Sequence, residues 1–171
     1  MNDTPPRVEI RALAAADIET VGALAREIWY AHYPAIISTA QIEYMLDERY
    51  APHVLRAELE RPDIWWDLLS LGGVCKAFSS YFLTERAGEM KLDKLYVHPD
   101  SQRNGYGGRL IERAWARVLA AGCSRLVLAV NKRNVNAIGA YHKHGFVIEQ
   151  AVVKDIGGGF VMDDYIMVRS R

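Results

Sequence analysis

Apolar and polar residues alternate from Val8 to Ala12, and this period of two predicts a first strand. Ile18, Val21, Leu24, Ala25 and Ile28 then recur at helical spacing, with Asp17 placed to cap the helix and Pro34 to end it. Ser38, with Gln41 three residues on, reads as a capping box for a second helix, and Pro52 to Glu60 suit a short third. From Ile64 the texture becomes strand-like. IWWDLLSL and VCKAFSSYFLT flank Gly72-Gly73 as a hairpin, and Met90 to Val97 follow a turn near Ala87-Gly88.

Gly105 to Ala121 carries Leu110, Ile111, Ala114, Trp115, Val118 and Leu119 on one side of a helix, stopped by Gly122. Arg125 to Val130 reads as a buried strand, Asn134 to His144 as a short helix, and two last strands flank Gly157-Gly158-Gly159. Hairpins impose antiparallel pairing, whereas the passage from Met90 through a helix to Val130 requires a right-handed parallel crossover. The expected fold is therefore α/β with a mixed sheet, in one domain over residues 1–171 whose first residues, 1–6, form a flexible tail. No repeat or linker divides the chain.

Length and composition narrow the partners. A chain of 171 residues, half of them hydrophobic and a quarter charged, suits one ordinary globular domain. Lys plus Arg equals Asp plus Glu at 21 each, so no global field draws nucleic acid or an anionic membrane. Cys75 and Cys123 stand far apart without metal-ligand spacing, which points to reduced thiols and no metal site. The polar start MNDTPPRVEIRALAAADIE has no signal-peptide core, and no apolar run approaches the ~20 residues of a membrane span. These features lead to the expectation of a cytoplasmic protein with no nucleic-acid or membrane partner.

The candidate chemistry begins at LYVHPDSQRNGYGGRLIERAW, where three glycines occupy four positions at a strand-to-helix junction. Such a junction can bring an anion close to free backbone N–H groups at a helix N-terminus. A Walker loop would need Gly-Lys-Ser/Thr where Gly107-Gly108-Arg109 stands, and a Rossmann fingerprint would need glycine at Leu110. A third arrangement fits. QRNGYG, Gln102 to Gly107, matches the Q/R-x-x-G-x-G/A signature, LYVHP precedes it, and NKRNVNAIGAYHKHGF follows with Asn134, Ala137, Tyr141, Gly145 and Phe146 in order. In these two blocks the chain resembles the GNAT superfamily of acetyl-CoA-dependent N-acetyltransferases, over most of its length from Val8 onward. The acceptor-side elements IW…Y and QIEYML resemble its small-molecule branch, which includes polyamine acetyltransferases.

The resemblance implies a mostly antiparallel sheet, splayed where the pantetheine arm of acetyl-CoA lies beside the strand end at Leu95, Tyr96 and Val97, with the Val97 N–H near the thioester oxygen. It implies that Gln102, Arg103, Asn104, Gly105, Tyr106, Gly107 and Gly108 form the pyrophosphate turn, and that Asn134, Ala137 and Tyr141 face the cofactor. Residues seven apart on a helix lie within ~20° of one face, so these three make one stripe. By its place in the second block Tyr141 is the proton donor to the leaving thiolate; its alternative is a core aromatic.

The base departs from the family pattern, because Lys91 and Ala129 stand where relatives carry glutamate. Asp93 is the candidate. A surface Asp93 paired with Lys91 or Lys94, and proton transfer through ordered water, stay open. For the acceptor, Trp29, His32 and Tyr33 with Asp163 and Asp164 suit a cationic amine through cation–π contact and charge pairing. The alternatives are a core Trp29, a solvated His32 and a solvated aspartate pair; His142 and His144 are expected at the surface. The function expected is acetyl transfer to a small amine such as a polyamine, with no metal and a homodimer left open. Protein N-terminal or lysine acetylation and a non-catalytic CoA sensor are the competing readings.

Overall fold

The structure, a computed structural model, describes residues 6–171, so the expected tail at 1–6 falls almost wholly outside the described residues. The chain runs β1 (Val8–Ala12), α1 (Ile18–His32), α2 (Thr39–Tyr50), α3 (Pro52–Leu59), β2 (Ile64–Leu71), β3 (Val74–Leu83), β4 (Glu89–Val97) and α4 (Tyr106–Ala120). It continues through β5 (Arg125–Asn131), α5 (Val135–Lys143), β6 (Val147–Gly157) and β7 (Phe160–Ser170). Among the described residues the strands form one sheet in the order β1-β2-β3-β4-β5-β7-β6. Only β4 and β5 pair in parallel, as the helical crossover between them demands.

Each face of the sheet has its own core because the central strands are apolar on both sides. On β2, Trp66 and Leu68 pack under α1, α2 and α3, while Trp65 and Leu69 face α4. The fully buried Ile42, Leu55 and Phe78 fill the first core, and Leu110, Ile111 and Val118 of α4 fill the second. Burying side chains of this size contributes on the order of 1.5–3 kcal/mol each. Asp67, buried beneath α4, accepts from the Tyr81 hydroxyl at 2.8 Å and pairs with Arg113 Nε at 2.8 Å, which ties the helix to the sheet.

Three local expectations change. Asp17 does not cap α1; its carboxylate accepts from Ala14 N at 2.8 Å and pairs with Arg11 at 2.7 Å, clipping β1 to the helix start. Ser38 Oγ does accept from Gln41 N at 3.1 Å, but the Gln41 amide donates to Val161 O at 3.0 Å, so half of the capping box is spent tying α2 to β7. Leu119 is 40% exposed because the stripe on α4 outruns the sheet beneath it.

The feature that makes a site lies in β4. Its register against β3 skips Asp93, between the pairs Tyr81 with Leu92 and Ser80 with Lys94. The bulge reverses side-chain parity: Met90 and Leu92 face α4, and so do Leu95 and Val97, whereas Lys94 contacts Glu58 and Trp66 on the other face. Beyond Lys91 and its partner Val127, β4 and β5 no longer pair, and the sheet opens as the family resemblance implied.

The bulge is held by charge. Lys94, 3% exposed, pairs with Asp93 at 2.8 Å and Glu58 at 3.1 Å, and its ammonium lies 4.9 Å from the Trp66 ring centroid. Arg49 Nη2 donates to both the Asp93 carboxylate, at 3.1 Å, and its carbonyl oxygen, at 3.0 Å. Burial alone would raise the Asp93 pKa, but Arg49 and Lys94 hold it well below the usual carboxylate range. Stability from this group is therefore present above the ordinary carboxylate pKa and fades as pH falls toward the folded-state value. Asp93→Asn should cost about 3–5 kcal/mol at neutral pH by leaving half-buried Arg49 without its carboxylate and buried Lys94 with Glu58 alone. Urea unfolding at pH 7 and at stepwise lower pH should show that deficit shrinking below about pH 4.

Candidate active site

One cleft of about 760 Å³ runs through the opening between β4 and β5, with one chamber on each face of the sheet. On the α4 side it begins at the glycine turn. Arg103, at φ 64°, and Gly105, at φ 77°, both adopt the left-handed conformation and curl the chain into a concave loop. Among the described residues the six successive N–H groups from Arg103 to Gly108 donate to no protein acceptor. They lie at the positive end of α4, an arrangement that suits an anion.

The polar side chains of the turn shape it. Asn104 Nδ2 donates to the carbonyls of Ser101 and Gln102 at 3.2 and 3.0 Å, and Gln102 Nε2 donates to Val97 O at 3.1 Å. Half-buried Tyr106 packs into the core under α4, and Arg103 is exposed. His98 N donates to Lys76 O across to β3, so strand alternation turns the main-chain groups of Leu95 and Val97 toward the open edge and those of Tyr96 toward β3. Tyr96 thus drops out of the expected backbone row. With its carbonyl taken by Gln102, Val97 presents an N–H to the cleft.

Asn134, Ala137 and Tyr141 line the same chamber as one stripe at and along α5. The Tyr141 ring packs edge-on against Phe146 at 5.6 Å, and its hydroxyl has no hydrogen-bond partner among the described residues. Burial pushes its pKa far above the ordinary phenol value, so the group keeps its proton at neutral pH. His144, expected at the surface, lies across the first turn of α4 and also borders the cleft. A Cβ on Gly108 would fall 2.7 Å from its ring, which explains the second glycine of the Gly107-Gly108 pair. That doublet was the available signal: a bare helix surface has something resting on it.

The other chamber lies between the sheet and α1 and α2. Trp29 is 1% exposed and Tyr33 8%; both are core residues that also present edges to the cleft, with Tyr33 Oη 3.1 Å from Tyr96 Oη. Half-buried His32 stands edge-on to Tyr33 at 4.9 Å and lines the opening. The aspartate pair is split. Asp163 points outward to Lys132, whereas Asp164 lies in the cleft, 8% exposed, with Oδ1 lacking a partner among the described residues. Consecutive strand residues face opposite ways, so these two cannot form one carboxylate pocket.

The network around Asp93 bears on the base. A carboxylate held between Arg49 and Lys94 with a strongly lowered pKa is a poor proton acceptor; the pairing with Lys94 is as the alternative had it, whereas the burial and the Arg49 contact are not. Arg49, Lys91 and Lys154 also line this chamber, and nothing in the helical or strand patterns singled them out. Lys91 has its pKa lowered by burial.

The Acetyltransferase (GNAT) family model matches residues 23–146, and the chain belongs to that family of acyltransferases. It is 29% identical over 158 residues to a spermidine N(1)-acetyltransferase of Thermoplasma acidophilum, covering 91% of this chain and 96% of the relative. The crystal structure of the PaiA N-acetyltransferase of the same organism in complex with coenzyme A superposes with a TM-score of 0.83 at 27% identity, over 96% of this chain and 99% of that one. A GCN5-related N-acetyltransferase of Rhodopseudomonas palustris shares the fold at a TM-score of 0.80 and 22% identity, over 100% and 99% of the two chains.

The unpartnered N–H groups give the turn a direct test. ADP, as a diphosphate probe, should shift the amide resonances of residues 103–108. Gly105→Val should abolish that response by blocking approach to the backbone, and the left-handed position should cost about 1–2 kcal/mol in stability.

Proposed function

We propose that this protein transfers the acetyl group of acetyl-CoA directly to a primary amine of a small molecule, with a polyamine as the leading acceptor class. The observation that carries the reading is the single cleft through the sheet. It joins an anion-ready turn and an open strand edge on one face to a chamber with aromatic edges and a buried carboxylate on the other. The six free N–H groups of the turn fit a pyrophosphate, with Arg103 beside them as a charged partner. Acetyl-CoA supplies the activated acyl group, and the chain binds, orients and handles protons.

In this reading the main-chain groups of Leu95 and Val97 hold the extended arm, and the Val97 N–H faces the carbonyl oxygen as negative charge develops there. A preorganised donor of this kind is commonly the largest electrostatic contribution to acyl transfer. Asn134 and Ala137 border the arm, and Tyr141 gives its proton to the departing sulfur. The sensor alternative loses ground to a protonated, unpartnered Tyr141 hydroxyl in the cleft. The spermidine acetyltransferase relative supports a polyamine, as do the edges of Trp29 and Tyr33, His32 at the mouth and the Asp164 carboxylate. Lys91 and Lys154 favour a second reading, an amine that also bears an anionic group such as an amino acid, because they face the chamber as cations.

Acetyl-CoA should raise the Tm by mass action. Thiol release measured with spermidine, free amino acids and short peptides should then rank spermidine first; a preferred amino acid selects the second reading, and a preferred peptide selects protein acetylation. Tyr141→Phe should lower kcat by about 10²–10⁴-fold. Acetyl-CoA affinity should change little, since one hydroxyl adds little contact area.

A further inference from the structure

We infer that Asp164 is the general base of the transfer: its carboxylate accepts the proton that the acceptor nitrogen must lose. The inference rests on the amine-transfer reading above and goes beyond it by assigning the group that Asp93 cannot supply. Asp164 lies on β7 opposite Asn131 of β5, in the acceptor chamber. Its same-face neighbour Ile166 pairs with Ala129, so the Asp164 position is the diagonal neighbour, roughly 7–8 Å away along the sheet, of the β5 position that bears only a methyl group.

Three observations distinguish this carboxylate. It is more than nine-tenths buried, it borders the cleft, and Oδ1 accepts no hydrogen bond among the described residues. An unpaired buried carboxylate oxygen costs stability, and a protein retains one most readily where a ligand completes it. The charges around it are Lys91 on β4, Arg49 on α2, Lys132 after β5 and Asp163 on β7, with Lys154 of β6 facing Lys91. Burial and Asp163 raise its pKa against those cations, the direction that suits a base working near neutrality. Asp93 has the opposite environment.

The proton balance closes. An acceptor that enters as ammonium gives one proton to the Asp164 carboxylate and becomes a neutral amine. Its nitrogen forms the C–N bond, the C–S bond breaks, and the thiolate takes the Tyr141 proton. The second nitrogen proton returns through water to Tyr141, and Asp164 releases its own to solvent. The products are amide, thiol and one proton.

The test compares wild type with Asp164→Asn, using ethylamine as a basic acceptor and trifluoroethylamine as one already neutral near pH 7. With ethylamine the variant should lose about 10²–10⁴-fold in kcat and lose the acid limb of the pH profile. With trifluoroethylamine it should recover most of the wild-type rate, since the nitrogen needs no deprotonation before attack. Acetyl-CoA affinity should hold. A carboxylate with a raised folded-state pKa destabilises the fold when ionised, so Tm at neutral pH should stay level or rise in the variant. An unchanged kcat and acid limb would overturn the inference, as would a higher KM for amine with both preserved, or equal losses with both acceptors. A wild-type enzyme that binds acetyl-CoA but acetylates neither amine overturns the amine-transfer reading itself.

Discussion

The separation of β4 from β5 is the constraint on which the rest of this structure depends. Two parallel strands pair for three residues and then part, because an extra residue at Asp93 bends β4 and reverses the facing of its side chains. Ordinarily an unpaired strand edge inside a sheet leaves main-chain groups without partners. Here β7 takes up the far side of β5, Gln102 takes the Val97 carbonyl, and what is left is a short run of donors and acceptors facing a cleft. An extended ligand can complete that run by the same hydrogen bonds a strand would make.

Placing a bulge beside a cleft in the middle of a sheet requires that it be fixed, and the fixing is electrostatic. Lys94 is buried with Asp93 and Glu58 around it, and Arg49 grips both the side chain and the carbonyl of Asp93. Breaking such a group leaves a buried charge uncompensated, which disfavours other arrangements of the bulge. The same charges decide which carboxylate is free for chemistry. Asp93 is saturated by cations, whereas Asp164, across the chamber, keeps an unpartnered oxygen. Two aspartates in one cleft are thereby driven to different ionisation behaviour by their neighbours.

Local physics is what the sequence carried most clearly. The period of two in β1, the apolar runs of β2 to β5, the helical stripe on α4, the glycine punctuation and the strand–helix–strand crossover depend on residues near one another in the chain, so their pattern is printed along it. The two motif blocks were legible for a related reason: a tight turn before a helix needs glycines at fixed spacing, and a ligand-facing stripe needs residues three and seven apart. The hairpins, the parallel pair and the position of the glycine turn followed from those alone, whereas the place of β7 between β5 and β6 did not.

What the chain could not display is which distant residues meet. Arg49 on α2 reaches the β4 bulge through tertiary packing, and without it Asp93 looks like a free carboxylate. Gln41 leaves its capping box for β7, and His144 comes to rest on Gly108, because partners more than 30 residues away compete with local ones. Asp163-Asp164 reads as one acidic pair until the pleat of β7 sends the first to Lys132 and the second into the cleft. The sequence by itself determined the elements, their order and the anion-ready turn, since propensity, periodicity and backbone stereochemistry act over a few residues. Only the tertiary structure decided which side chains carry compensated charge and which are left open to a ligand, since desolvation and ion pairing depend on the whole surrounding volume.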